Sequence, residues 1–406
     1  MELALVYLGA FLRPLLAIDL TFGGSTGEVS WVYDWVTVGL TVILAAAFLM
    51  NASLRRNVRF SGLDLAMAAF VTWCFAVYII YFEKALGREM LKLVFPFFVY
   101  FIVKNVLKDR EQYRKMIALM IAGFVIPVAL SAVLVLQGEG QAYVSYWTGV
   151  ARYQGAYSAV HNFGHNMTFV LMLIGVYVVV SRFGVENGEW VTRKRAEMMY
   201  LVALGLGALF CLLMSQTRTQ LLGLLAFGAY TLFVFNRRAF FLAMVAVVTL
   251  GIILYPIMQR TILWDFNKVE AGVWSKQELA AGRPRIWENN LRIFANMPID
   301  RELGGVGIGN KDIFGGTEGI TDSHNDYLDV MIQTGVVGLV LYLLMQFLLL
   351  RKILDLSGKE KHVFVAMFIA VTGMNLSSNS YISRSAIAQL FFLAMTYVEL
   401  RVPTKT

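Results

Sequence analysis

The sequence predicts an all-α polytopic membrane protein with about twelve transmembrane helices, and three observations carry that prediction. Of its 406 residues, 58% are hydrophobic and only 15% charged, which is far more apolar than a soluble domain requires. Apolar runs long enough to cross about 30 Å of hydrocarbon, at about 1.5 Å per residue, recur along the whole length. The basic residues fall in alternate loops between those runs, as expected of a chain that crosses a bilayer repeatedly. No stretch is left over for a separate soluble domain, so residues 1–406 read as a single integral membrane domain.

The spans fall near residues 3–20, 31–50, 63–82, 89–105, 116–136, 166–182, 199–214, 219–235, 239–257, 326–350, 363–378 and 384–400. The first, in "MELALVYLGAFLRPLL", lacks a basic leader and a small-residue cleavage site and reads as a retained span. One set of loops holds Arg55, Arg56 and Arg59, then Lys104, Lys108, Arg110, Arg114 and Lys115. Arg193, Lys194, Arg195, then Arg237 and Arg238, then Arg351, Lys352, Lys359 and Lys361 continue the same side. The positive-inside rule makes that side cytoplasmic, and the even number of spans puts both termini there. The alternate connections carry only scattered bases such as Lys84, Arg88, Arg152, Arg218 and Arg384. The formal charge of +8 is therefore a matter of topology and does not point to nucleic acid. Cys74 and Cys211 lie inside apolar runs and suggest neither a disulfide framework nor a metal site.

Residues 258–323, between the ninth and tenth spans, are too polar to cross and fall on the outer, periplasmic side as one large loop. Within it, "GRPRIWENNLRIF" has Pro284 suited to a first helical position. Trp287, Leu291 and Phe294 share one face, with Arg285, Asn289 and Arg292 on another. A short amphipathic helix is expected, lying on the membrane or capping the spans.

The end of that loop, "DSHNDYLD", runs directly into the tenth span. Ser323 and Asp326 have the spacing of a capping box, which places His324 in the helix's first turn. Unpaired N–H groups and the helix dipole there disfavour imidazolium and leave a ring able to accept a proton, unless Asp322 or Asp326 counteracts them. A general base and an interfacial histidine that only hydrogen-bonds loop backbone both fit. Gly335, about three turns and 16 Å deeper on the same stripe, permits close approach by another helix or a lipid chain, and Gly338 extends the smooth patch.

Arg218, in "SQTRTQLLG", sits in a very short outer connection with Leu222 one turn below. Arg283 precedes Pro284 at the start of the amphipathic helix, where a cation and free N–H groups together suit a phosphate. Each arginine alone also fits a solvent-facing helix anchor. Arg13, Asp34 and Lys92 lie near the outer ends of spans; an Arg13–Asp34 ion pair and a cavity lining are equally compatible with them. Neither puts charge at mid-membrane, where an ion or proton pathway would require it. "GGVGIGN" at residues 304–310 lacks the preceding strand and the following Gly-Lys-Ser/Thr of a phosphate loop and reads as a turn. His161 and His165 have the spacing of helical metal ligands without an intervening glutamate or clear further ligands, so no metal is assigned.

"GRPRIWENNLRIF", "GGVGIGN" and "SHNDYLDVMIQTGVVGLVLYLL" together resemble the shared signature of bacterial O-antigen ligases and O-antigen polymerases. Within that superfamily the chain is similar to the lipopolysaccharide O-antigen ligases. The family's Arg-x3-Leu falls on Arg218 and Leu222, and its His-x10-Gly on His324 and Gly335. The resemblance implies an inverting glycosyltransferase of GT-C type, independent of metal and of any cofactor. Such an enzyme moves a polysaccharide from undecaprenyl pyrophosphate to lipid A-core at the periplasmic face of the bacterial inner membrane. It implies His324 as general base, Arg218 and Arg283 as pyrophosphate ligands with Arg285 as understudy to Arg283, and an apolar groove near Gly335 for the prenyl tail. "ARYQGAYSAVHNFGHN" resembles an earlier loop of the family, which adds Arg152 as a pyrophosphate candidate; the chain departs from it at His161, where proline is common. Membrane lipid and the O-antigen polymerisation proteins are the further partners the resemblance implies. An O-antigen polymerase or a protein O-oligosaccharyltransferase would use the same donor, and a transporter or flippase of lipid-linked glycans is the reading from a different class.

Overall fold

The computed structural model describes residues 1–18, 30–51, 56–81, 87–144, 151–182, 195–253, 255, 268–272, 275, 279–309, 323–378 and 384–400. Its helices are α1 (Glu2–Leu15), α2 (Ser30–Met50), α3 (Gly62–Ile80), α4 (Gly87–Val106), α5 (Arg110–Gly123) and α6 (Val125–Leu136). A two-stranded antiparallel hairpin, β1 (Gln141–Val144) and β2 (Ala151–Tyr153), precedes α7 (Val160–Arg182), α8 (Arg195–Ser215), α9 (Arg218–Phe235) and α10 (Arg237–Ile253). Then come α11 (Leu279–Ala295), α12 (Ile299–Gly304), α13 (Asp326–Leu354), α14 (Gly358–Asn375) and α15 (Ser385–Met395), with a closing 3₁₀ turn at Thr396–Glu399.

Each predicted span coincides with one of these helices, α5 and α6 together forming the fifth. The helix is interrupted between them at Phe124, where Pro127 has no N–H to give the Gly123 carbonyl at which α5 ends. Among the described residues, six helical segments are long and apolar enough to cross a membrane: α3, the α5–α6 run, α7, α8, α9 and α13. The apolar parts of α2 and α15 are shorter, α1 is only 14 residues long, and α4 and α14 carry charges, Lys104 on α4 and Glu360 on α14 among them.

Packing is mostly between helices distant in sequence: α1 lies along α5, α3 along α13, α4 along α15 and α9 along α14. The core between them is filled by aromatic and sulfur-containing side chains such as Tyr113, Phe163, Phe364 and Met367, all fully buried. The outward faces are apolar too. Leu242 and Ile252 on α10 are 71% and 70% exposed, and α10 has no buried residue at all. Apolar surface on this scale needs a lipid solvent.

Basic residues predicted to share the cytoplasmic side gather at one end of the bundle. Lys104, 1% exposed, bonds the carboxylate of Asp64, which also caps α3 in a capping box with Ser61. Glu399 receives Lys352 Nζ at 3.0 Å and Tyr100 Oη at 3.0 Å, and Arg59 Nη1 donates to its carbonyl at 3.2 Å. The network joins α3, α4, α13 and the closing turn. Removing one partner leaves a buried charge uncompensated, at a cost of about 3–5 kcal/mol. Lys104→Met is therefore expected to lower the melting temperature of the detergent-purified protein sharply, and Lys104→Met with Asp64→Leu to restore part of the loss. A single variant as stable as the parent would show that the network contributes little.

Candidate functional site

At the opposite end, the N-termini of α7, α9, α13 and α15 meet beside the hairpin. Their free N–H groups give this end a positive potential before any side chain is considered.

His324 stands just outside α13. Its backbone is left-handed at φ 51, and the N-cap is the next residue, Asn325, whose Oδ1 accepts from the amides of Tyr327 at 3.0 Å and Leu328 at 3.2 Å. This corrects the expected capping box. The turn at His324 carries the Ser323 hydroxyl to Asp329 Oδ1, 2.6 Å away, and leaves Asn325 over the open amides. Trp287 of α11 donates to the Ser323 carbonyl at 2.8 Å and fixes the turn from the loop side.

Among the described residues only one other non-glycine has positive φ, Gln216, also at 51. It too immediately precedes an N-cap, Thr217 of α9. Side chains with a Cβ rarely adopt this conformation, and it costs of order 1–3 kcal/mol unless the surroundings impose it. Here Gln216 Nε2 donates to the Ala151 carbonyl at 3.1 Å, and Arg152 Nε and Nη2 reach the Ser215 and Gln216 carbonyls at 3.4 Å each. Arg152 thus clamps the α8–α9 junction from β2. Arg218 opens α9 one residue further on, beside Thr219.

Arg283 follows a helix break at Gly282, φ 75, so that Pro284 sits in the first turn after the break, close to its expected place. Its Nη1 lies 3.5 Å from Thr219 Oγ1, which in turn meets Ser377 Oγ of the α14 end at 3.0 Å. Further along α11 the inward stripe runs through the half-buried Trp287 and the buried Asn290 and Phe294, while the expected Leu291 is 47% exposed. The polar face is as expected, with Arg292 bonded to Asn289 at 2.8 Å.

The residue at the centre is one to which the sequence assigned no role. The His161 ring lies 5.9 Å from the His324 ring, centroid to centroid, tilted by 45°. Arg384, Arg152, His324 and Arg283 all act on it electrostatically. Three guanidiniums from three separate segments therefore lie close enough to His161 for their charge to act on it. His165, one turn along α7, goes elsewhere: its Nδ1 is 2.7 Å from the His161 carbonyl and 2.8 Å from Gln220 Nε2 of α9. The two histidines of "HNFGHN" thus serve different neighbours.

Arg285 is exposed, two residues and more than half a turn from Arg283. Leu222 is 66% exposed on the outer surface of α9. Lys92 pairs with Glu89 at 2.7 Å, and Arg13 is buried at the end of α1. The Asp34 side chain, Asp322 and Asn310 lie outside the described residues.

Gly335 interrupts α13 with φ 71 and ψ −178. A Cβ there would stand 2.0 Å from the Leu303 carbonyl oxygen, so the space beside it is filled by the backbone of α12 and is not an open groove for a prenyl chain. The "GGVGIGN" turn docks at this break. Val306 N donates to the Ile332 carbonyl at 2.9 Å, Gly307 N to that of Gln333 at 3.1 Å, and Trp73 Nε1 to that of Thr334 at 2.7 Å. Gly309 N adds a bond to Gln333 Oε1 at 2.9 Å. Carbonyls released by the broken helix are taken up by the loop and by Trp73 of α3, and the loop follows closely on the amphipathic helix that carries Arg283.

This geometry gives a testable contrast. Arg283→Gln is expected to reduce the glycan transfer that the sequence resemblance implies by about 10- to 100-fold, the worth of a charge-assisted contact. Arg285→Gln should change it by no more than about 2-fold, as exposed substitutions do. Equal losses in the two variants would refute the assignment.

The fold and site define a polytopic helical membrane protein with a basic, two-histidine centre where helix N-termini converge. Residues 202–343 match the family model described as O-Antigen ligase, in agreement with the resemblance read from the sequence. The match runs from α8 into α13 and includes Arg218, Arg283 and His324, leaving Arg152, His161 and Arg384 outside. No curated protein matches the chain.

Proposed function

We propose that the protein is an O-antigen ligase that transfers a polysaccharide from undecaprenyl pyrophosphate to a hydroxyl of lipid A-core. The observation that carries this reading is the placement of His324 beside His161, with Arg152, Arg283 and Arg384 near enough to act on it, in a chain whose residues 202–343 match the O-antigen ligase family model. On this reading the twelve helices span the bacterial inner membrane in a GT-C-like arrangement. The termini are cytoplasmic and the site periplasmic, as the alternation of basic loops requires.

In the reaction His324 takes the proton of the acceptor hydroxyl as its oxygen attacks the anomeric carbon. The carbon–oxygen bond to the pyrophosphate breaks on the opposite face, which inverts the configuration, and the electron pair leaves with the pyrophosphate. Arg218, Arg283 and Arg152 stabilise the charge that develops on the leaving group, so it departs without being protonated. The guanidiniums supply the positive charge that a divalent cation supplies in other sugar transferases.

The test is incubation of purified protein with undecaprenyl-pyrophosphate glycan and lipid A-core in EDTA, reading the size of both lipids. Extended lipid A is the expected product. Lengthening of the donor glycan would assign a polymerase, transfer only to a serine or threonine of an added protein an O-oligosaccharyltransferase, and absence of any transfer by folded protein a transporter.

A further inference from the structure

Arg384 lies far from the family-matched stretch, immediately before α15, and the sequence marked it only as one of the scattered bases of an outer connection. Its Nε donates to Asn162 Oδ1 at 2.7 Å. Asn162 is itself fixed, its Nδ2 donating to Ser158 Oγ at 3.1 Å, and its carbonyl accepts from Asn166 Nδ2 at 2.8 Å. The amide orientation is thus set from both ends, and it sets the plane of the guanidinium. Asn162 adjoins His161 in α7, so this bond brings Arg384 to the histidine pair, and its charge acts on both His161 and His165.

Three guanidiniums whose charge acts on one imidazole favour an anion of two charges over a single carboxylate in the space between them. The fork of arginine, held in a fixed plane, matches two phosphate oxygens in a way that a lysine does not. Arg384 is also the N-cap of α15, so the positive end of that helix dipole lies at the same residue.

We propose that Arg384, oriented by Asn162, is a binding residue for the donor's pyrophosphate, placing the α15 N-terminus in the donor site together with Arg283 and Arg152. This rests on the pyrophosphate-linked donor proposed above. It makes the donor site a junction of the family-matched region with α7 and α15.

The test is titration of the full-length protein in detergent with farnesyl pyrophosphate, followed by calorimetry, for the parent, Arg384→Gln, Arg384→Lys and Asn162→Ala. Arg384→Gln is expected to weaken binding about 10- to 100-fold, the range for loss of a charge-assisted fork. Arg384→Lys should keep the charge and still lose several-fold, and Asn162→Ala should weaken binding less than Arg384→Gln, by disordering the fork. If Arg384 only ties α15 to α7, the substitutions lower the melting temperature and leave the dissociation constant unchanged, which overturns the proposal. If Arg384→Gln does not fold, parent-like affinity in Arg384→Lys overturns it equally. Parent protein that does not bind the probe would refute the donor reading itself, whereas parental binding with an unaffected Arg384→Gln refutes only the role of Arg384.

Discussion

Replacing His324 by glycine is expected to lower transfer by about 10²–10⁴-fold, the usual contribution of a general base, while leaving the protein as stable as the parent or slightly more so. The backbone explains the choice of glycine. His324 sits at φ 51, which glycine adopts without the penalty that any side chain incurs. Removing the ring therefore removes chemistry and relieves the backbone together. A histidine whose task is to hydrogen-bond the loop would behave in the opposite way, with stability falling and catalysis declining only in proportion to the unfolded fraction. The measurement is the rate of lipid A extension beside the melting temperature of the same preparation. His324→Gly protein that transfers within about tenfold of the parent would remove His324 as the base.

Gly335→Ala is expected to be nearly as damaging by a different route. Alanine usually stabilises a helix relative to glycine by about 1 kcal/mol, and a reading of α13 as an unbroken helix predicts that gain. The geometry reverses the sign. The new methyl would meet the Leu303 carbonyl oxygen at 2.0 Å, its carbon at 2.3 Å and Gly304 N at 2.7 Å, all backbone atoms, at a φ of 71. Overpacking and backbone strain together cost about 2–6 kcal/mol. The turn at residues 305–309 should come away from the carbonyls of 332–334, carrying Arg283 off the site. Loss of transfer with a lowered melting temperature is the expected result; an alanine variant that melts as the parent does would show that the helix break is not required.

The helices were legible because apolar runs in a membrane chain report directly on length, and every expected span found a helix. The twelve-span count fares less well on length and composition alone, since α4 and α14 gain their place by pairing charges such as Lys104 with Asp64, a partner 40 residues away. Arg283, Arg152 and His324 were legible as polar residues on one predicted side. The arrangement of His161 was not: a four-residue spacing signals a shared helix face, yet what lies opposite that face depends on how α9, α13 and α15 pack. The same holds for Gly335. A single glycine in a helical pattern is compatible with an unbroken helix, and only the glycines at 305, 307 and 309, all with positive φ, hinted that another backbone would come close. The shift of the N-cap from Ser323 to Asn325 turned on one left-handed residue, which no spacing rule reveals.

Helix α10 has no buried residue and touches the rest of the bundle mainly through α9, as where Phe240 meets Phe233 at 5.4 Å. Its neighbour α9 is pinned at Gln220 by His165, and at Gly223 by Met374, whose side chain leaves no room for a Cβ. In α10 nearly every side chain is matched to lipid, which recognises hydropathy and length but not identity. Substitution of one apolar type by another along α10 is therefore expected to change little, whereas α9, immediately before it in the chain, is held at its buried positions Gln220, Gly223 and Phe227.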